Sequence, residues 1–186
     1  MAQTPSRAMR GRRSIVAACI TVVALALTGA ARDPGVRVRL DLERFQLVAV
    51  DARRPDDALV LPIAIGSPAH PSPPGHYAPH EVVRNPGWKP GTQARAWGAQ
   101  SLDPSGAGPM GIAKIPLRGD GFALHGGANP LVVGKPVSLG CVRLSDPDML
   151  AFLDWLDRAG ALAAPRSSAN GEIHQPLRRP VAFDVR

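Results

Sequence analysis

Residues 36–50 read VRVRLDLERFQLVAV. Val36, Val38, Leu40 and Leu42 hold one phase of a two-residue period, and the spacing resumes at Phe45, Leu47 and Ala49 after a slip near Glu43-Arg44. Such alternation puts apolar side chains on one face of an extended ribbon, so this segment is two strands, or one strand with a bulge or turn. From Leu47 to Val50 both phases are apolar, which predicts burial on both faces. Asp51 to Asp57 is a polar turn containing Pro55, and Leu59 to Ile65 returns as an apolar strand. The domain therefore opens as an antiparallel meander.

From Gly66 to Gly111, nine prolines and eight glycines in 46 residues break any long regular element. A short strand around Tyr77 to Val83 is predicted, at an edge because Pro79 cannot donate to a ladder. A segment of this kind inside a compact domain is a lid or binding wall, or else a surface insert. Beyond it, Met110 to Leu117 and Phe122 to His125 read as strands joined at Gly119-Asp120-Gly121, a hairpin that carries His125 to the rim of a sheet. Ser145 is a good helix N-cap, Pro147 suits the first turn, and Asp146 and Asp148 favour the positive helix end. Met149, Phe152, Leu153 and Leu156 carry the helical period until Gly160 stops it. The tail, residues 161–186, offers one terminal strand, Val181 to Val185. The expected fold is a single domain, mostly β, with one or two helices.

A length of 186 residues supports one real core without disulfides. The formal charge is +7, but residues 1–31 hold Arg7, Arg10, Arg12 and Arg13 and no acid. Setting those four aside leaves 18 basic groups against 15 acidic ones, a net of about +3, so the high isoelectric point does not argue for a nucleic-acid partner. The basic start, the apolar run from Ile15 to about Ala31 and the small residues Gly29, Ala30 and Ala31 describe an export signal. Arg12-Arg13 is compatible with the twin-arginine route. The alternative is an uncleaved anchor, because the run borders on spanning length; membrane contact is expected only in that case. Either reading puts the domain in the periplasm or cell envelope.

Export leaves one thiol. Cys19 lies in the leader, so Cys141 has no partner in a compartment that favours disulfides, and a lone secreted thiol is a reactive centre or a buried relic. Cys141 sits in Phe122–Leu144, FALHGGANPLVVGKPVSLGCVRL, sixteen residues after His125. An imidazole that takes the thiol proton turns cysteine into a strong nucleophile. Gly140 lets the backbone turn sharply beside the thiol, where its N–H and that of Cys141 could hold a developing oxyanion. From the residues alone this is a secreted cysteine acyl transferase or hydrolase. His70, His76 and His80 match no metalloprotease motif, so zinc is the weaker reading, and no metal or other cofactor is expected.

The pattern His125-Gly126-Gly127, then Gly134-Lys135-Pro136, then Ser138-Leu139-Gly140-Cys141-Val142-Arg143-Leu144 resembles the catalytic region of the L,D-transpeptidases of bacterial cell-wall assembly. The resemblance covers residues 36–160 and takes in Ile63–Gly66, Pro71–Gly75 and Asn85–Trp88. Two departures stand out: Leu139 where many members have histidine, and Gly127 where threonine is frequent. The resemblance implies a β-sandwich or mixed sheet, with Cys141 as nucleophile and His125 as proton donor and acceptor. It further implies positioning or oxyanion duties for Gly140, Gly126, Gly127 and Ser138, and substrate binding by Arg143. The implied partner is the peptidoglycan stem tetrapeptide, cleaved with release of D-alanine. The acceptor is an amine of a second stem, a lysine of a wall-anchored lipoprotein, or water, the last giving L,D-carboxypeptidase action. The alternative is a catalytically silent module that binds the wall.

Overall fold

The computed structural model describes residues 35–186. The alternating segment forms β1 (Val36–Asp41) and β2 (Gln46–Asp51), and the phase slip is the hairpin turn between them. There Phe45 takes φ 53° and the Asp41 carboxylate accepts from the Arg44 N–H at 2.9 Å. Val48 and Val50 are half-buried rather than buried, so β2 has one core face and not two. β3 (Arg54–Pro62) starts earlier than the sequence suggests: Arg54 to Asp57 already belong to the strand, and the turn shrinks to Ala52-Arg53.

The next elements are β4 (Ile65–Gly66), β5 (Gly75–Tyr77), β6 (Glu81–Arg84) and the short helix α1 (Thr92–Ala96). The single edge strand expected over 77–83 is thus two strands in different sheets, broken at Ala78-Pro79-His80 where proline interrupts the ladder. Then come β7 (Ala113–Pro116), β8 (Ala123–His125), β9 (Pro136–Ser138), β10 (Val142–Arg143), α2 (Asp146–Arg158), β11 (Arg166–Ser167), β12 (Ile173–Pro176) and β13 (Val181–Val185).

The strands make one sheet in the order β3-β2-β1-β13-β5, a second in the order β10-β8-β7-β6-β12-β11, and a β4-β9 pair. β13 runs parallel to β1 in the middle of the first sheet, with Val38 opposite Phe183. The strand expected over Val181 to Val185 thus forms, interior to the first sheet, and the stretch read as a tail adds two more, β11 and β12. Val36, Val38, Leu40, Leu47, Ala49 and Phe183 from the first sheet share one core with Ile115, Leu124 and Val142 from the second.

Helix α2 closes that core. Ser145 caps it by accepting from the Asp148 N–H, and Gly160 takes φ 66° just past its end. Met149, Phe152, Leu153, Trp155 and Leu156 are buried, the Phe152 ring standing edge-on to Phe183 at 6.5 Å.

A buried ion pair fastens the base of the fold. Arg179 meets Asp51 through two hydrogen bonds of 3.0 and 3.1 Å, with side-chain exposures of 7% and 0%, and both Arg179 and Arg53 donate to the Ala159 carbonyl at the end of α2. The Arg179 guanidinium holds the Asp51 carboxyl well below the usual carboxylate range. A depressed folded-state pKa contributes stability above pH about 4 that drains away as pH falls further. Arg179→Ala removes the two closest side-chain donors to a buried carboxylate and leaves it to the more exposed Arg53 and Arg54, an expected cost of about 1.5–3 kcal/mol in urea unfolding at pH 7. The loss should shrink as the pH is lowered into the acid range; a loss below about 1 kcal/mol at pH 7 contradicts the assignment.

Candidate active site

The β7–β8 hairpin sets Lys114 opposite His125 and Ile115 opposite Leu124. On the other side β10 runs parallel to β8, with Val142 opposite Leu124 and Arg143 opposite His125. Alternation then sorts the side chains. Ile115, Leu124 and Val142 enter the core, while Lys114, His125 and Arg143 form a row on the reverse face. Cys141, one residue before Val142, comes level with Ala123 on that same face, and the Ala123 N–H faces its sulfur. The thiol and the imidazole are thus diagonal neighbours on adjacent strands.

His125 is wholly buried. Its Nδ1 lies 2.7 Å from the Gly126 carbonyl. A carbonyl oxygen only accepts, so Nδ1 carries the proton and Nε2 keeps a lone pair. Nε2 has no partner among the described residues. Burial, reinforced by the Arg143 charge and more weakly by Lys114, pushes the ring pKa down to about 4, against the Gly126 hydrogen bond. Burial also raises the Cys141 thiol above its ordinary value, with Ala123 N–H and Arg143 opposing. The thiol is half-buried and donates to the Gly121 carbonyl at 3.5 Å. Both members of the pair are therefore neutral at pH 7, and charge separates only when the thiol gives up its proton.

The turn that presents the thiol is fastened on several sides. Gly140 takes φ 113°, a conformation only glycine accepts easily. Ser138 Oγ accepts from the Gly140 N–H at 3.0 Å and donates to the Cys141 carbonyl at 2.5 Å. Ser72 Oγ accepts from the Gly66 N–H at 2.9 Å and donates to the Gly140 carbonyl at 2.8 Å. The Cys141 N–H makes no hydrogen bond among the described residues.

Behind His125, the Gly126 N–H donates to the Ala113 carbonyl at 3.0 Å and the Gly127 N–H to Asp146 Oδ1 at 2.9 Å. Gly127 takes φ 76°, and a Cβ there would meet the Gly111 N–H at 2.9 Å and the Pro109 carbonyl at 3.0 Å. That explains glycine in place of a β-branched residue. Arg143 is half-buried, its Nε buried without a partner, and its backbone bonds both ways with Ala64 at 2.8 and 2.9 Å.

The structure thus sets Cys141 beside the start of β8, His125 and Arg143 at its end and Gly126 and Gly127 just beyond, with Ser138 and Gly140 in the turn that presents the thiol. It adds Ser72 and Lys114, which the sequence reading did not single out, and Asp146, which it took only as a helix-end acid. Ser72 lay within the Pro71–Gly75 turn and Lys114 at the polar phase of a strand, but neither position declares what it faces. The three histidines of the Pro/Gly-rich segment, His70, His76 and His80, form no metal-ligand group: His76 pairs with Asp184 at 3.4 Å and His70 sits in the turn after Ser67. Among the described residues no group of three His, Cys, Asp or Glu side chains could hold a metal ion. A cavity of about 670 Å³ on the outer face of the first sheet, lined by Arg37, Arg39, Val48 and Val50, contains neither Cys141 nor His125.

The sequence model of the YkuD family, the L,D-transpeptidase catalytic domain, matches residues 35–172. The chain belongs to the L,D-transpeptidase family. Its fold is that of solved members. An L,D-transpeptidase from Mycobacterium smegmatis superposes with a TM-score of 0.50 at 17% identity, over 82% of this chain and 58% of that one. LdtMt1 in complex with imipenem gives 0.50 at 14%, over 82% and 59%. The avibactam carbamoyl form of Ldtfm gives 0.52 at 14%, over 82% and 49%. The chain thus spans about half to three fifths of the length of these structures. No curated protein matches it in sequence.

In this L,D-transpeptidase-family domain the neutral resting pair is directly measurable. Ultraviolet thiolate absorbance that is lost in Cys141→Ser is expected to grow only above the ordinary thiol range, and the His125 ring is expected to stay neutral down to about 4. Thiolate absorbance already present at pH 6 and abolished by His125→Ala would instead show a preformed ion pair.

Proposed function

We propose that this chain is a peptidoglycan L,D-transpeptidase with Cys141 as nucleophile and His125 as its base. The observation that carries the reading is the buried, unpartnered Nε2 of a ring whose tautomer is set by the Gly126 carbonyl, on the sheet face that Cys141 shares. As Cys141 Sγ attacks the carbonyl carbon of the third residue of a stem tetrapeptide, the thiol proton passes to Nε2. The tetrahedral oxyanion forms beside the unoccupied Cys141 N–H. Its collapse breaks the bond to D-alanine, whose nitrogen leaves with the proton from Nε2, and a thioester remains. An acceptor amine then attacks the thioester, gives its proton to Nε2, and the sulfur leaves to become a thiol again. A second stem gives a crosslink, a lipoprotein lysine gives anchoring, and water gives carboxypeptidase action.

Arg143 suits the donor. A half-buried guanidinium with no ion pair among the described residues, one row from the thiol, is balanced when a stem carboxylate arrives. With residues 1–31 acting as an export signal, the reaction takes place in the cell envelope; that segment lies outside the described residues.

Purified protein with disaccharide tetrapeptide is expected to release D-alanine and to form a thioester on Cys141. Cys141→Ala should abolish both, and His125→Ala should slow release about 10²–10⁴-fold. The wild-type rate should fall as pH drops through about 4, where Nε2 gains a proton and ceases to be a base. Retention on peptidoglycan with no release and no adduct would leave the silent wall-binding module.

A further inference from the structure

Asp146 is the first residue of α2, yet its carboxylate turns away from its own helix. Oδ1 accepts from the Ile112 N–H at 3.1 Å and from the Gly127 N–H at 2.9 Å, so one oxygen ties together the segment leading into β7 and the segment leaving β8. The packing around it is tight: a Cβ on Gly111 or Gly126 would run into that same oxygen. Ordinary capping does not need this arrangement, because Ser145 already serves as N-cap. The Gly126 peptide lies directly between the clamped Gly127 N–H and His125, and its carbonyl is the group that holds Nδ1.

We infer that Asp146 is a positioning residue for the base: by gripping the Gly127 N–H it aims the Gly126 carbonyl at His125 Nδ1, which keeps the free lone pair on Nε2. The inference rests on the Cys141–His125 reading and assigns that pair its outer support. Outer partners that fix the tautomer and orientation of metal-bound imidazoles are worth about 10–100-fold when lost, and a loss of the same order is expected here.

The test follows acylation of Cys141 in the full chain by imipenem, read by intact mass, together with the ¹⁵N signals of the His125 ring. Asp146→Ala is expected to acylate about 10–100-fold more slowly and to mix the two ring tautomers. Asp146→Asn, whose amide oxygen still accepts both N–H groups, should retain a rate within about threefold of wild type and a single tautomer. In a His125→Ala background Asp146→Ala should add less than about twofold, because a residue acting through His125 has nothing left to act on. Should Asp146→Ala not fold, Asp146→Ser, which can start a helix but is too short to reach both donors, serves in its place. An Asp146→Ala protein with wild-type rate and tautomer overturns the inference, as does an equal slowing with and without His125. If His125→Ala itself acylates at the wild-type rate, the base assignment fails and this inference falls with it, a result distinct from a slow His125→Ala beside an unchanged Asp146→Ala.

Discussion

Two very short strands running the same way, β8 and β10, are the constraint on which the site depends. Parallel neighbours cannot be joined by a tight turn; they need a crossover of a dozen or more residues. Here the crossover is the chain between His125 and Cys141, so the sixteen-residue spacing of the two groups is the length of that excursion. In place of a long helix it carries a 3-10 turn, Pro130–Val132, and the strand β9, pinned to β4 and to Ile63. Returning parallel to β8, the chain delivers the thiol to the same face as the imidazole. An antiparallel return would bring a different register and a different pair.

The electrostatics follow from that placement. A ring buried between Arg143 and Lys114 cannot hold a proton easily, and a half-buried thiol cannot lose one easily. The site therefore waits without charge on its reacting pair, and the developing ions meet fixed partners: Arg143, the Ala123 N–H and the Cys141 N–H. The unpartnered polar atoms, His125 Nε2 and Arg143 Nε, are the two that the proposed reaction would engage. Ser72 and Ser138 hold the turn from two sides, bonding the Gly140 and Cys141 carbonyls next to the sulfur.

Much of this was readable in advance. The period of two through residues 36–50 demanded strands, the 145–160 pattern demanded a capped amphipathic helix, and a single thiol after residue 31 with a histidine sixteen residues upstream, in the family's motif order, pointed to the L,D-transpeptidase family. Where reading failed, the reason was tertiary. Tyr77 and Glu81 look continuous, yet Pro79 sends them to different sheets. In residues 161–186 the strand over Val181 to Val185 was legible, but β11 and β12 are too short and polar to show a period, and β13 takes its interior place from β1, far away in sequence. Asp146 looked like a helix-end acid, since sequence shows a carboxylate but not where it points.

What the sequence determines by itself is the chemistry and the alphabet of elements: a thiol, an imidazole, a glycine at a turn that needs positive φ, and strands whose alternation forbids helix. These are local properties, settled by side chain and backbone sterics within a few residues. Only the tertiary structure decided which tautomer His125 holds, that the resting pair is neutral, and that Ser72, Lys114 and Asp146 belong to the site. Those depend on burial and on hydrogen bonds between segments distant along the chain, and neither exists until the two sheets close on one core.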